Sequence, residues 1–262
     1  MSSILAPRIA APGTVPPSGH RPTSRRRLAP MLVLPLWVAA SFAHADDFIV
    51  YSPHVTATQS EIEVRGYGFS DGRAAINGER AAELSFAHAF NGWWKPELYV
   101  AEYKKEPGAR GKLIGYEFEN TFQFTEPGRY WADVGMLASY GRPKGGGPAE
   151  IEVGPLFEKA VGRFDHRINL IWERKIGAGA PRGTGFRYSY AGSYAVSRAF
   201  RPGIEAYGRE ADNAYHAGPT VSGEWHVPGS QGNLEYRVGL LLGINAAAPR
   251  RTWVAQLAYE FF

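Results

Sequence analysis

Hydrophobic and polar residues alternate with a period of two along most of the chain. In residues 112–124, large apolar side chains occupy most even positions from Tyr116 to Phe124, and polar or small residues such as Glu117 and Glu119 lie between them. Successive side chains of a strand point to opposite faces, so this pattern predicts a β-strand with one apolar face. Twelve such runs are separated by turns rich in Gly, Pro, Asp and Asn, near 58–69, 80–91, 96–104, 112–124, 129–140, 149–158, 164–174, 184–196, 201–209, 214–226, 233–244 and 251–261.

The length and number of these strands predict how they are arranged. A strand of roughly ten residues, apolar on one face and polar on the other, is typical of a transmembrane β-strand. The 31 Gly, 14 Tyr, 14 Phe and 7 Trp also favour strands over long helices. We therefore expect an all-β fold, a closed antiparallel up-and-down transmembrane β-barrel of about twelve strands, because closure pairs every backbone edge.

The N-terminal region has the features of an export signal. Three arginines, Arg25–Arg27, precede an apolar run from Leu28 to Ala43, and Ala43-His44-Ala45 forms a small-x-small cleavage site. We predict that residues 1–45 are a leader with a cleaved secretory signal peptide and that residues 46–262 form the barrel. An uncleaved anchor is the alternative.

Charge and cysteine content exclude some functions. The leader holds five of the 29 basic residues and none of the 25 acidic ones, so residues 46–262 carry 24 basic and 25 acidic residues. The basic pI of about 9.2 thus belongs to the leader and gives no case for nucleic-acid binding. The chain has no cysteine, which rules out disulfides and thiolate chemistry.

The export signal, the alternating strands and the closing stretch LAYEFF (257–262) resemble proteobacterial outer-membrane β-barrel proteins. The stretch YEFENTFQFTEPGRYWADVGMLASY (116–140) resembles uncharacterised porin-like members of that class. In such proteins an aromatic residue ends the last strand and serves as an assembly signal; here Phe262 follows Tyr259-Glu260-Phe261. The resemblance implies a location in the bacterial outer membrane. It implies as partners outer-membrane lipid and lipopolysaccharide, the barrel-assembly machinery acting on the C-terminal strand, and a small solute.

Connection lengths suggest an orientation. If the last strand ends on the periplasmic side, every second connection should be a short periplasmic turn. The stretches 125–129, 162–164 and 200–203 fit this expectation and 227–233 is longer than expected. The stretches assigned to the outside are longer and polar: 71–79, 104–112, 140–148 and 175–185.

Charged residues in the inward-facing rows are the main functional signal. Mixed acidic and basic walls are typical of a water-filled pore that selects solutes. The predicted pore-lining residues are Glu117, Glu119, Asp133, Arg167, Glu173, Arg187, Glu235 and Arg237. They favour a narrow porin-like channel for small polar or charged solutes, which needs no cofactor. The alternative is that they pair with one another and close the lumen, leaving a structural or surface-interaction barrel.

The register of two strands can also be predicted. If Glu126-Pro127-Gly128 is a tight turn, Glu119 and Glu117 lie opposite positions near 135 and 137. Asp133 would then complete an acidic strip. Arg167, Arg187 and Arg237 come from strands further around the barrel and would form a basic strip facing it.

The sequence supports an enzyme less well than it supports a channel. Gly68–Gly72 (GFSDG) matches the G-x-S-x-G of a hydrolase, but that motif needs a helix after it, and Asp71-Gly72 indicates a turn instead. Serines and histidines that a lipid hydrolase would need are present without any local motif. They are Ser189, Ser193, Ser222, His166 and His216. We expect no enzyme.

The remaining histidines give no firm site. Glu224 and His226 share a row with His216 and have a spacing that would allow metal binding from one strand, but two ligands without known partners favour an ordinary lumen wall. We predict no metal site. His88 lies in the apolar row of Leu84, and the pattern does not decide whether that row faces lipid or the interior.

Overall fold

The computed structural model describes residues 48–262, so the predicted leader and cleavage site lie outside the described residues. Twelve antiparallel strands each pair with the next along the chain, and β12 pairs with β1 to close a barrel. The strands are β1 (Ser60–Ser70), β2 (Arg80–His88), β3 (Trp94–Lys105), β4 (Lys112–Gln123), β5 (Asp133–Pro143), β6 (Ala149–Val161), β7 (Phe164–Ile176), β8 (Gly185–Tyr194), β9 (Arg201–Arg209), β10 (Ala214–His226), β11 (Asn233–Gly243) and β12 (Arg251–Phe261). The predicted closed barrel of twelve strands is confirmed.

The outer surface of the barrel is apolar, as the period-two rows predict. Val238 and Leu257 on neighbouring strands are 49% and 48% exposed, while inward-facing Glu119 on β4 is 1% exposed. The row that contains Leu84 faces outward, which settles the position of His88 on the outer face. No helix in the described part of the chain is long and apolar enough to cross a membrane.

The β4–β5 connection differs from the prediction. The backbone N–H of Gly128 donates to the carboxylate of Asp133 at 2.7 Å, and that of Val134 donates to the hydroxyl of Thr125 at 2.7 Å. These bonds build a connection over 124–132 in place of a tight hairpin. Glu119 therefore lies opposite Ser139, and the predicted register near 135 is wrong.

The two ends of the barrel have connections of similar length. We call them the Phe261 end, where β12 finishes, and the Arg251 end, where it begins. The five connections at the Phe261 end contain two to nine residues, and the six at the Arg251 end contain four to nine. The two-residue turn between β6 and β7 fits the expected pattern, but the nine-residue β4–β5 connection does not. Connection length therefore gives no orientation.

Two connections at the Arg251 end are bonded to each other. The carboxylate of Asp71 accepts hydrogen bonds from Nε of Arg73 at 2.8 Å and from the backbone N–H of Arg250 at 2.7 Å. The guanidinium of Arg73 also donates to the carbonyl of Ala248 at 2.8 Å. The hydrogen bonds and charge of Arg73 lower the pKa of Asp71 well below its usual range. GFSDG thus ends β1 and begins a nine-residue connection, so Asp71-Gly72 is not itself the predicted hairpin turn, and no helix follows it in the described residues.

Candidate functional site

The first described residues lie inside the barrel. Phe48, Tyr51 and Val55 are at least nine-tenths buried, and their partners are inward-facing residues of the strands. We call residues 48–56 the inner segment. It has no strand pairing, so the sheet closes around it without including it.

Side chains of the barrel wall bind the backbone of the inner segment. The amide of Asn169 clamps Tyr51, accepting from its N–H at 2.7 Å and donating to its carbonyl at 3.0 Å. Arg237 donates to the carbonyl of Phe48 at 2.6 Å. Gln123 accepts from the N–H of Val55 at 2.6 Å. Buried backbone groups that have no place in the sheet are satisfied in this way.

The inner segment packs on two opposite walls. Alternate residues of an extended chain point in opposite directions, so Phe48 and Val50 face one wall and Ile49 and Tyr51 face the other. The first wall contributes Tyr67, Ala81, Tyr207, Leu241 and Val254. The second contributes Leu137, Leu156 and Ile171. Apolar side chains of the lumen are thereby removed from water.

The inner segment spans much of the barrel height. Phe48 contacts His216 near the Arg251 end, with ring centroids 5.2 Å apart, whereas Nε2 of His54 lies 2.8 Å from Asp133 near the Phe261 end. Nine extended residues cover about 30 Å. A Cβ at Gly135 would lie 2.8 Å from Cβ of Pro53, so glycine is needed where the segment crosses β5.

A charged cavity remains beside the inner segment. It has a volume of about 700 Å³, and its wall includes Gln59, Glu61 and Glu260 at the Phe261 end. It extends to the level of Arg65 and Glu205. The apolar cluster around Phe48 lies beyond that level. The cavity is therefore a vestibule reached from one end.

Charged groups of the lumen form ion pairs between strands that are adjacent or one strand apart. Arg237 lies 2.5 Å from Glu205, Arg167 lies 3.1 Å from Glu158, and Lys95 lies 3.0 Å from Glu61. The basic side chains are thus interleaved with acidic ones. The predicted separation into an acidic and a basic strip is wrong.

All eight predicted pore-lining residues lie on the inward-facing rows, but the structure does not bring them together. Glu119, Arg167, Glu235 and Arg237 line the 700 Å³ cavity, and Glu117 lines a second cavity of about 360 Å³ towards the Arg251 end. Asp133 binds His54 of the inner segment. Glu173 and Arg187 are buried in one ion network, 3.3 Å apart. Their role in a pore remains a prediction.

The serines and histidines considered for hydrolysis do not meet. His166 lies on the outward row and contacts the hydroxyl of Tyr190 at 2.9 Å, whereas inward-facing Ser189 donates to Asn169 at 3.2 Å. Ser222 lines the cavity, and His216 packs against Phe48. On the outer face, Ser60 and His88 are 2.9 Å apart.

The residues considered as metal ligands have other partners. Glu224 lies 2.6 Å from Arg198, and Nδ1 of His226 lies 3.2 Å from the amide oxygen of Asn233. Among the described residues, Glu150, Glu152 and Glu173 form the group of carboxylates close enough to hold a metal, within 4.8 Å of one another. Glu152 and Glu173 pair with Arg187, which favours an ion network.

The fold and the lumen define a closed, porin-like β-barrel. No family model matches the chain, and no curated protein matches it significantly in sequence. Among solved structures, the fold is similar to that of the NanC porin, with 11% identity and a TM-score of 0.50, over 77% of this chain and 99% of that one. The KdgM porin in complex with disordered oligogalacturonate is 10% identical with a TM-score of 0.49, over 77% and 98% of the two chains. At these identities the likeness is one of fold.

Proposed function

We propose that the protein is a porin-like channel of the bacterial outer membrane for small polar or charged solutes, closed in this conformation by its inner segment. The observation that carries the proposal is the charged cavity of about 700 Å³ that lies beside this segment. A polar interior within an apolar outer surface is the arrangement of a water-filled transmembrane barrel. The similar NanC structure is that of a porin, which supports the same class.

The way in which the inner segment is held supports a role as a gate. Its backbone is bonded to side chains and not to a strand ladder, so its departure would leave all twelve strand pairs intact. Barrels of ~8 strands are filled by their own side chains, whereas ~16 leave a wide channel. A twelve-stranded barrel without its inner segment would have a narrow passage between these limits.

The aromatic end of β12 supports a membrane orientation. The closing Tyr259-Glu260-Phe261 resembles the assembly signal of outer-membrane barrels, which lies on the periplasmic side. We therefore assign the Phe261 end, and with it the mouth of the charged cavity, to the periplasm.

A closed structural or surface-interaction barrel is the second candidate. The apolar clusters around Phe48 and Leu137 favour it, because they fill the lumen as a protein core would. The two candidates differ in whether the inner segment leaves its site under the conditions of the membrane.

Conductance in a planar bilayer tests the proposal. We would compare the refolded protein with a variant in which residues 48–55 are replaced by Gly and Ser in equal number. The same replacement of loop residues 106–111 is the control. We expect brief openings of the unmodified protein and of the control, and a steady, larger conductance of the segment variant. No conductance in the unmodified protein and the segment variant would leave the closed barrel as the better account.

A further inference from the structure

One ammonium group lies among many carboxylates in the cavity. Nζ of Lys95 is 3.0 Å from Glu61, and it interacts electrostatically with carboxylates on four other strands. The six carboxylates that interact with it electrostatically belong to Glu61, Glu63, Glu97, Glu119, Glu235 and Glu260. Lys95 shows that this part of the wall accommodates a primary ammonium.

The strand register places like charges opposite each other on the inward face. Glu97 lies opposite Glu119, and Glu61 lies opposite Glu260. Glu224 lies opposite Glu235. Like charges directly opposite on adjacent strands are destabilising. Lys95 and Arg198 each pair with one carboxylate of the last two pairs, and a further cation in the cavity would reduce the repulsion that remains.

Two buried carboxylate oxygens in the same wall lack a hydrogen-bond donor. Glu119 and Glu63 are 1% and 4% exposed, and Oε2 of Glu119 and Oε1 of Glu63 have no hydrogen-bond partner among the described residues. Glu119 also interacts with the hydroxyl of Tyr51. Arg65 lies 3.5 Å from Oε1 of Glu63, but its Nε is bonded to Glu83. A buried acceptor without a donor is costly, so a donor that reached these oxygens from the cavity would stabilise both groups, and Glu119 more than Glu63, which already has Arg65 beside it.

The size and charge of the cavity point to an organic cation. Acidic residues outnumber basic ones in its wall by nine to six, and its volume of about 700 Å³ is within the usual range for small organic ligands. Calcium or magnesium needs six or more oxygens within about 2.6 Å of one point. Among the described residues, the three carboxylates that come within 4.8 Å of one another are Glu150, Glu152 and Glu173, and they lie outside this cavity. Carboxylates spread along a cavity suit several separated charges.

We propose that this cavity binds a linear organic polycation whose primary ammonium groups lie beside Glu97 and Glu119 at its inner part and beside Glu235 and Glu260 at its mouth. Each ammonium has three donors to offer to these carboxylates. The proposal names the solute class of the channel proposed above and rests on that function for passage, while binding itself needs no conductance.

Calorimetric titration of the refolded protein in detergent micelles with spermidine, a linear triamine, tests the binding. The double variant Glu235→Gln/Glu260→Gln should bind about tenfold more weakly or worse, because it loses charge-assisted hydrogen bonds. The control Glu126→Gln changes an exposed acid at the same end of the barrel, outside the cavity, and should bind as the unmodified protein does. Heat-modifiable migration on gels verifies that each variant is folded. Equal affinities in all three proteins would overturn the proposal.

A gain of affinity provides a sharper test. Lys95→Met removes the internal ammonium that competes for the same carboxylates, so spermidine should bind several-fold more tightly. A purely structural role of Lys95 predicts no gain, and weaker binding in the folded variant would contradict the proposal. Binding of magnesium ion that displaces spermidine, or binding of galacturonate in its place, would also overturn it. Spermidine binding without conductance would refute the channel alone, and conductance without spermidine binding would refute this proposal alone.

Discussion

Replacing Phe48 with Ala should release the inner segment from the wall of the barrel. The ring is 6% exposed and lies 5.1 Å from the ring of Tyr67 and 5.6 Å from that of Tyr207. Exposing a buried Phe side chain costs about 1.5–3 kcal/mol, and aromatic edge contacts add about 0.5–1.5 kcal/mol each. A loss of about 3 kcal/mol, near the lower end of this sum, would increase the detached fraction roughly 100- to 200-fold, since 1.4 kcal/mol is a factor of ten.

A single engineered thiol measures this fraction. The chain has no cysteine, and Val254 is a 3% exposed wall residue of the Phe48 cluster, so Val254→Cys places one thiol beneath the inner segment. Its reaction with a charged, water-borne thiol reagent follows the detached fraction when the segment returns faster than the reagent reacts. The labelling rate should rise roughly 100- to 200-fold when Phe48→Ala is added. Phe124→Ala, at an outward residue that is 61% exposed, is the control.

Two outcomes would refute this reasoning. If Phe48→Ala and Phe124→Ala label the thiol at similar rates, the Phe48 ring does not hold the inner segment in place. If the thiol of Val254→Cys alone reacts as fast as a free thiol, the cluster around it is not closed. Gel migration of the unheated proteins separates both outcomes from unfolding of the barrel.

Three further predictions concern other parts of the barrel. Leu257→Arg, on the outer face, should cost about 2–4 kcal/mol in urea unfolding from lipid vesicles, whereas Gln256→Arg, on the inner face of the same strand, should cost less; equal costs would show that the two faces do not differ. Asp71→Asn should increase hydrogen exchange in the neighbouring connection at the Arg251 end. Because the folded-state pKa of Asp71 is depressed, the stabilisation that its carboxylate provides is complete above about pH 4 and is lost only as the pH falls towards the folded value. A loss of exchange protection in the unmodified protein between pH 7 and 5 would contradict this prediction. In the channel opened by segment replacement, Glu235→Gln/Glu260→Gln should shift the reversal potential towards anion selectivity, and less so at 1 M salt, where the Debye length is ~3 Å; an unchanged potential would argue against selection by these charges.

The strand pattern could be predicted because both faces of each strand have a uniform environment. Phe118 is 44% exposed on the outer face and its neighbour Glu119 is 1% exposed on the inner one, and this contrast repeats along the chain. A shift of one residue would place charges against lipid and aromatic rings inside. The two environments therefore determine the faces of the strands.

The register between β4 and β5 could not be predicted, because side chains decide it. Pro127-Gly128 has the composition of a tight turn, and Gly128 does have a positive φ of 73°. The connection is longer because Asp133 and Thr125 bond backbone groups that a hairpin would pair otherwise. Such bonds depend on distances that the residue types alone do not specify. The acidic strip failed for this reason, since it assumed the shorter turn.

Apolar residues of the inward rows are the sequence signal that would have revealed the inner segment. Leu137, Leu156 and Ile171 lie on three consecutive strands and are at most 1% exposed, although they face the lumen. A water-filled pore would leave these side chains wet at a cost of roughly 1.5–3 kcal/mol each. The stretch FIVYSPHV (48–55), which precedes the first predicted strand, covers these side chains. Apolar positions on the inward rows thus mark where the inner segment packs. Charged positions on the inward rows, such as Glu61 and Glu260, mark the part of the lumen that remains for a solute.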